Sequence, residues 1–268
     1  MNSLALESVR AKIDRAQHHL DAVKTALKLV LGSESKTQSV AFKIDPERQQ
    51  LITTIPKAPP IDPALPLMIG DCVHNLRSAL DHLVYQLALQ NGASSKAAEK
   101  TFFPIYLTET EFDDRVKKLV KPFISDSAFT ELQQSQPYAA YDIPEEADIW
   151  ILHKLDIIDK HRLLIVAGQQ FAVTQFTLTF PNRAPWHEVI SEPKWKPMED
   201  GAEIIRFEIP GAFYAPGKVR VQIDAIKTVE FINTGLRCDG VMVETALNQF
   251  MGIVSATIRD FGVKFFGE

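Results

Sequence analysis

The spacing of apolar residues changes at Gly168, and this change constrains the class of fold more than any other feature of the sequence. Before Gly168 the chain is dominated by segments whose apolar residues recur every three or four positions, as on one face of a helix. After it come short segments with the alternation or β-rich composition of strands. The sequence therefore predicts an α+β protein: a helical bundle of about four main helices with an N-terminal β-hairpin and a small antiparallel sheet.

Four segments are predicted as the main helices, and two shorter helices are predicted between them. The main helices cover residues 3–31, 67–90, 143–168 and 240–261. The shorter helices cover residues 108–120, which start with an N-cap Thr and an acidic first turn, and 126–138. Gly32, the "NGASS" segment and Gly168 provide the stop signals.

The predicted strands fall into two groups. "SVAFKI" and "LITTIP" flank the turn-like "DPERQQ" and predict the hairpin, which a proline-rich connector, "PKAPPIDPALP", joins to the next helix. "FAVTQFTLTF", "EIIRFEI", "KVRVQIDA" and "TVEFIN" predict the small antiparallel sheet. The chain shows no internal repeat, low-complexity tract or obvious linker, which predicts a single domain over residues 1–268.

Composition excludes several classes of protein. The chain has 268 residues, is 46% hydrophobic and carries a net charge of -5, which argues against a protein that grips duplex backbone. Cys72 and Cys238 form no C-x-x-C pair and predict core residues in a reducing cytoplasm. The N-terminal segment lacks the apolar region of a secretory signal. No run approaches about 18 uninterrupted apolar residues, so no membrane span is expected.

The second predicted helix contains the stretch "GDCVHNLRSALDHLV", which combines a clean apolar stripe with many polar groups. Arg77 borders the stripe beside His74 and Asp81, and His82 lies on the far side, towards Asn75. Arg77 and His82 are about 140° apart around the helix axis. The predicted core stripe consists of Ile69, Val73, Leu76, Leu80, Leu83, Val84 and Leu87.

The third main helix contains "LDIIDKHR" and is apolar nearly all round, so its polar side chains are costly to bury unless they are paired. His153, Asp156 and Lys160 fall on one stripe, while His161 and Arg162 lie on other sides. Two interpretations stay open at this point. The polar groups of the two helices form an ionic network that fixes how the helices pack, or they form a functional site in a bundle core.

The segment "RSALDH", from Arg77 to His82, resembles the R-x(4–6)-H motif of the HEPN families (higher eukaryotes and prokaryotes nucleotide-binding). Together with the later "DKHR" it also resembles a group of uncharacterised bacterial proteins that share both signatures. HEPN proteins are helical bundles, and many are metal-independent endoribonucleases that act as dimers. The resemblance covers about 40 residues and implies RNA as the substrate, a homodimer and no cofactor.

The same resemblance implies roles for individual residues. Arg77 would steady the scissile phosphate and His82 would act as general acid or base in attack of a 2′-hydroxyl on the adjacent phosphate. His161 would be a second proton carrier. Ser78 follows the arginine where HEPN nucleases usually carry Asn, Asp or His. The residues predicted to bind substrate are His74, Asn75, Asp81, Asp156, Lys160 and Arg162.

Two further interpretations complete the set. A non-catalytic binding or structural protein would use the Arg, Asp, His and Lys clusters only for helix packing. A metal site has a single ligand-like local pair, His153-x-x-Asp156, so no residue is predicted as a metal ligand. His18 and His19 are expected to be solvated positions on the first helix.

Overall fold

The computed structural model describes residues 5–31, 41–45, 47–48, 50–55, 61–161, 167–179, 186–189, 194, 196–208 and 220–268. These residues form an α+β protein with a helical bundle and small antiparallel sheets, as predicted. The helices are, in chain order, α1 (Glu7–Leu31), α2 (Ala64–Gln90), α3 (Ser95–Ala98), α4 (Glu109–Leu119), α5 (Asp126–Gln134), α6 (Pro137–Ala140), α7 (Asp148–His161) and α8 (Val243–Phe261). Single turns of 3₁₀ helix lie at Lys121–Phe123 and Pro144–Glu146, and a π-helical turn lies at Gly262–Phe266.

The strands within the described residues form two sheets. The first has the order β1-β2-β6, with both pairings antiparallel, and the second has the order β4-β3-β5, with β7 also paired to β3. The strands are β1 (Ala41–Asp45), β2 (Gln50–Thr54), β3 (Ala167–Thr179), β4 (Trp186–Val189), β5 (Lys196–Pro197), β6 (Glu203–Glu208) and β7 (Arg220–Phe231).

The described residues divide into two compact units. One comprises residues within 1–25, 63–166 and 231–268, and the other comprises residues within 26–62 and 167–230. The second unit has an apolar core to which both sheets contribute, formed by Leu51, Ile55, Phe171, Val173, Phe176, Leu178, Met198, Ile204 and Ile223. The single domain inferred for residues 1–268 stays a prediction.

The first unit contains the bundle, and its centre is α2. This helix contacts both α7 and α8, and α7 also contacts α8. All seven residues of the predicted core stripe of α2 are buried. The stripe follows the helical period over about five turns, and Cys72, Ala79 and Ala88 beside it are buried as well.

The helices α2 and α7 run antiparallel and approach closely. Gly70 lies against Asp159, His74 contacts Asp156 and Arg77 contacts His153, so the pairs ascend one helix as they descend the other. A β-carbon at position 70 would lie 2.3 Å from an oxygen of the Asp159 carboxylate. Glycine at position 70 therefore leaves the space that the Asp159 carboxylate occupies.

Several predicted boundaries are confirmed and others are wrong. The hairpin of β1 and β2 is present, and α4 starts at an N-cap Thr108 whose side chain accepts a hydrogen bond from the Glu111 amide. The third main helix does not reach Gly168, because Ala167 and Gly168 already belong to β3. The two strands predicted within 218–233 are one continuous strand, β7, and β6 pairs with the hairpin rather than with the second sheet. The predicted turns at 32–39 and 210–218 and the start of the proline-rich connector, 56–60, lie outside the described residues.

Every helix among the described residues is too short or insufficiently apolar to span a lipid bilayer.

We expect Gly70→Ala to lower the free energy of unfolding by about 1–2 kcal/mol, because the new methyl group must displace the Asp159 carboxylate from the space it occupies. Urea denaturation of the purified chain measures the change. The double variant Gly70→Ala with Asp159→Ala should recover most of the loss, since the methyl group then meets no carboxylate.

Gly252→Ala is the matched control. Gly252 also lies inside a helix, but a β-carbon there would meet no atom within 4 Å. This substitution should raise the free energy of unfolding by about 0.5–1 kcal/mol through helix propensity alone. Equal effects of the two substitutions would contradict the close approach of α7 at Gly70.

Candidate functional site

Arg77 is buried, with 6% of the residue exposed, and its guanidinium binds three separate parts of the first unit. Nη1 donates to Asp81 Oδ1 at 2.7 Å, one turn further along α2. Nη2 donates to the carbonyl oxygen of Phe103 at 2.8 Å, and Nε donates to Nδ1 of His153 on α7 at 3.3 Å. Arg77 thus connects α2 to α7 and to the segment before α4.

Asp81 completes this first cluster. Its Oδ1 atom accepts the backbone N–H of Phe103 at 2.9 Å as well as the Arg77 proton. Arg77 and Asp81 together therefore satisfy both the N–H and the C=O of one residue in the connecting segment. Because buried peptide groups need hydrogen-bond partners, this pair fixes the backbone around Phe103.

His153 is held in one protonation state by the same cluster. The Arg77 Nε–H can only donate, so Nδ1 of His153 must be the accepting nitrogen and the ring proton lies on Nε2. Burial, reinforced by the nearby Arg77 charge, lowers the pKa of His153 to about 4. His153 is therefore a neutral imidazole at pH 7.

A second cluster lies one turn along and is open to solvent. The carboxylate of Asp156 is buried, with only 4% of its side chain exposed. Its Oδ1 atom lies 3.0 Å from Nδ1 of His74, and its Oδ2 atom accepts from Lys160 Nζ at 2.6 Å. The His74 and Lys160 side chains are 45% and 47% exposed. The cluster presents an imidazole and an ammonium group to solvent above a buried carboxylate.

Ser78 belongs to this second cluster, although nothing in the sequence pattern singled it out as a partner of histidine. Its Oγ atom lies 3.4 Å from Nε2 of His74, and the side chain is partly buried. The signal that could have found it is the spacing of four between His74 and Ser78, which places both on one face of α2.

Asp159 lies beside the second cluster, against Gly70. Burial raises the pKa of Asp159, and the negative charges of Asp156 and Asp71 raise it further. His74 and the Lys160 ammonium group act in the opposite direction and lower the pKa of Asp159.

His82 and Asn75 lie away from both clusters, on the side of α2 that faces α1. Burial lowers the pKa of His82, and Lys12 of α1 lowers it further. The Asn75 amide donates to the Asp71 carbonyl oxygen at 2.8 Å, and its Oδ1 atom lies 3.4 Å from Lys12 Nζ. The separation of His82 from Arg77 agrees with the helical geometry deduced from their spacing.

Two predicted residues, His161 and Arg162, belong to neither cluster as described. His161 is exposed at the last position of the helix, and Arg162 lies outside the described residues. The structure thus brings together His74, Asp156 and Lys160, and separately Arg77 and Asp81. The roles assigned to all of these residues stay predictions.

The expectation that His18 and His19 are both solvated is wrong for His19. His18 is exposed, whereas His19 has 9% of its surface exposed and its Nδ1 atom lies 3.9 Å from Asp71 Oδ2. Burial lowers the pKa of His19. Adjacent helical residues point about 100° apart, so one of two neighbours can be buried while the other is solvated.

The His and Asp side chains that the structure describes on α2 and α7 do not form a metal site. Within the described ranges, no group of three or more His, Cys, Asp or Glu side chains is arranged to hold a metal ion. The proposed pair His153 and Asp156 has other partners: Arg77 for the first, and His74 and Lys160 for the second.

Comparison of the chain with protein-family models, with curated proteins and with solved structures produced no match.

We expect the free energy of unfolding to fall by about 3 kcal/mol as the pH is lowered from the ordinary histidine pKa of 6.5 to about 4, because of His153. In that interval the unfolded chain binds a proton on His153 and the folded chain does not. The contribution is complete above pH 6.5 and lost below about pH 4. Urea denaturation at a series of pH values measures it.

His153→Asn tests the assignment, because its amide oxygen can accept the Arg77 proton but does not titrate. The slope of the free energy of unfolding against pH should decrease, between pH 4 and 6.5, by an amount that corresponds to at most one bound proton. His18→Asn removes an exposed histidine and should leave the dependence unchanged. An unchanged slope in His153→Asn would show that His153 titrates normally in the folded chain.

Proposed function

We propose that the chain is an RNA-cleaving enzyme whose proton carrier is His74. The observation that supports this most is the arrangement of the second cluster. A half-exposed imidazole is oriented by a buried carboxylate, Asp156, which also holds the half-exposed ammonium group of Lys160. Enzymes that catalyse general acid–base reactions orient their histidines in this way.

The proposed reaction needs a base, an acid and a cation. His74 removes the proton of an RNA 2′-hydroxyl, whose oxygen then forms a bond to the adjacent phosphorus. The bond from phosphorus to the 5′-oxygen breaks, that oxygen takes a proton from water acting as the acid, and a 2′,3′-cyclic phosphate remains while His74 returns its proton to solvent. Lys160 is placed to stabilise the negative charge that develops on the phosphate oxygens.

RNA is proposed as the substrate because of the HEPN resemblance of residues 77–82, but the roles differ from those that the resemblance implies. Arg77 donates to Asp81, Phe103 and His153, so its guanidinium is used for contacts within the first unit rather than for contact with a phosphate. His82 faces α1 rather than the second cluster. A homodimer belongs to the same proposal, and light scattering of the purified chain tests it.

We expect the purified chain to cleave single-stranded RNA in the presence of EDTA and to leave 2′,3′-cyclic phosphate ends. His74→Asn retains a side-chain donor for Asp156 but carries no titrating proton, so cleavage should fall by about 10²–10⁴-fold. Lys160→Met should also reduce cleavage, because it removes the cation. Gel analysis of a labelled oligonucleotide measures both.

Matched controls make this experiment decisive. Lys118→Met removes an exposed lysine of α4, and His18→Asn removes an exposed histidine of α1; both should cleave at the rate of the unsubstituted chain. RNA methylated on its 2′-oxygens should resist cleavage. Intact RNA with the unsubstituted chain overturns the function, while loss of activity in His82→Asn but not in His74→Asn overturns the assignment of the proton carrier.

A second candidate, a non-catalytic binding or structural protein, is favoured by the first cluster. Arg77 is buried and uses three of its donors inside the first unit, which is the arrangement of a packing network. In this alternative the second cluster extends the same network along α7, and the chain cleaves no RNA.

Arg77→Met should lower the free energy of unfolding by about 3–5 kcal/mol, because it leaves the Phe103 carbonyl and Asp81 without the guanidinium. Arg259→Met, at an exposed position of α8, should change it by no more than about 0.5 kcal/mol. Thermal and urea denaturation measure both. Similar effects at the two positions would show that Arg77 does not organise the packing.

A further inference from the structure

We propose that Ser78 is a nucleophile activated by His74 and Asp156, and that this face of α2 hydrolyses small activated carboxylic esters through an acyl-serine intermediate. The proposal goes beyond RNA cleavage, because the attacking hydroxyl belongs to the protein rather than to the substrate. It holds equally for a chain that never acts on RNA.

The three side chains form a continuous relay. Ser78 Oγ lies 3.4 Å from His74 Nε2, and His74 Nδ1 lies 3.0 Å from Asp156 Oδ1. A nucleophile, a base and a group that orients the base are recognised by these contacts rather than by sequence order. The distance at the serine is longer than the roughly 2.6–3.2 Å of a formed catalytic hydrogen bond, and such bonds are often longer before substrate binds.

The directions of the hydrogen bonds match the roles. Asp156 accepts from Lys160 at Oδ2 and is an ionised acceptor, so the proton between it and His74 lies on Nδ1. In the neutral ring this leaves the Nε2 lone pair facing the Ser78 hydroxyl, which donates to it. The imidazole is therefore held in the tautomer that removes a proton from serine.

The three side chains differ in their exposure to solvent. Asp156 is buried, so its charge acts on His74 with little screening by water. His74 is half-exposed and Ser78 is partly exposed, so a small ester reaches the hydroxyl from solvent. Because α2 and α7 are antiparallel, the Lys160 backbone lies one turn from Asp156 towards the Gly70 level, and its ammonium group reaches back to Asp156. Ser78 lies one turn from His74 in the opposite direction.

The proposed reaction proceeds in two balanced steps. Ser78 Oγ forms a bond to the ester carbonyl carbon as its proton passes to His74 Nε2; the carbon–oxygen bond to the alcohol breaks, and the alcohol oxygen takes that proton. Water then attacks the acyl-serine with His74 again as base. This releases the carboxylic acid and returns the proton to Ser78.

A fluorophosphonate probe on the full chain tests the nucleophile directly, since attack by serine displaces fluoride and leaves a stable adduct. We expect one adduct per chain by intact mass and its location on Ser78 by peptide mapping. Ser78→Ala should abolish the adduct, and His74→Asn should slow its formation by at least tenfold. Ser127→Ala, at an exposed serine 3.0 Å from Ser125 Oγ, should label as the unsubstituted chain does.

The rate of p-nitrophenyl acetate hydrolysis provides the second measurement. Both Ser78→Ala and His74→Asn should lose most of this rate. Absence of an adduct on Ser78, under conditions that label a reference serine hydrolase fully, overturns the proposal. An adduct that forms on His74→Asn at the unsubstituted rate also overturns it.

The two proposals on this face fail independently. RNA cleavage and labelling of Ser78 are therefore measured side by side on the unsubstituted chain. Labelling without RNA cleavage therefore leaves the nucleophile and removes the proposed function, and the opposite result removes only the nucleophile.

Discussion

The burial of the Arg77 guanidinium is the constraint on which the rest of the bundle depends. A cation removed from water costs several kcal/mol unless its donors are satisfied, so α2, α7 and the segment around Phe103 must all be in place together. The same requirement determines the chemistry of His153. A neighbouring permanent cation and a buried position both oppose protonation, so the ring stays neutral over the range in which an ordinary histidine titrates.

The contacts between α2 and α7 form a series in which packing and chemistry cannot be separated. Glycine allows one carboxylate to approach at Gly70, a histidine meets the next carboxylate at His74, and an arginine meets a histidine at Arg77. All three contacts depend on the same register between α2 and α7, so a shift of one helix by one residue would disturb every one of them. The two clusters therefore occupy neighbouring levels of the same helix pair, the first closed and the second open to solvent, so a packing network and the proposed site can coexist.

The local features of the fold could be predicted from the sequence, and the pairings between distant segments could not. Helical periodicity identified the buried stripe of α2, because a period is a property of consecutive residues. Two pairings depend on which segments meet in space, and no local pattern encodes that. They are the pairing of β6 with β2 and the hydrogen bond of Asp156 with His74 rather than with His153. The contact of Ser78 with His74 could not be predicted either, because a serine inside a helix carries no distinctive signal until its neighbours are known.

The two hydrogen bonds to Phe103 have a consequence for how the chain tolerates change in length. Arg77 and Asp81 bind the carbonyl and the amide of one peptide position, much as a neighbouring strand would, and make no use of its side chain in doing so. The number of residues between Gln90 and Phe103 is therefore under geometric control. An insertion or deletion immediately before Phe103 would present the wrong peptide groups to α2, whereas a different apolar side chain at that position would leave both bonds intact.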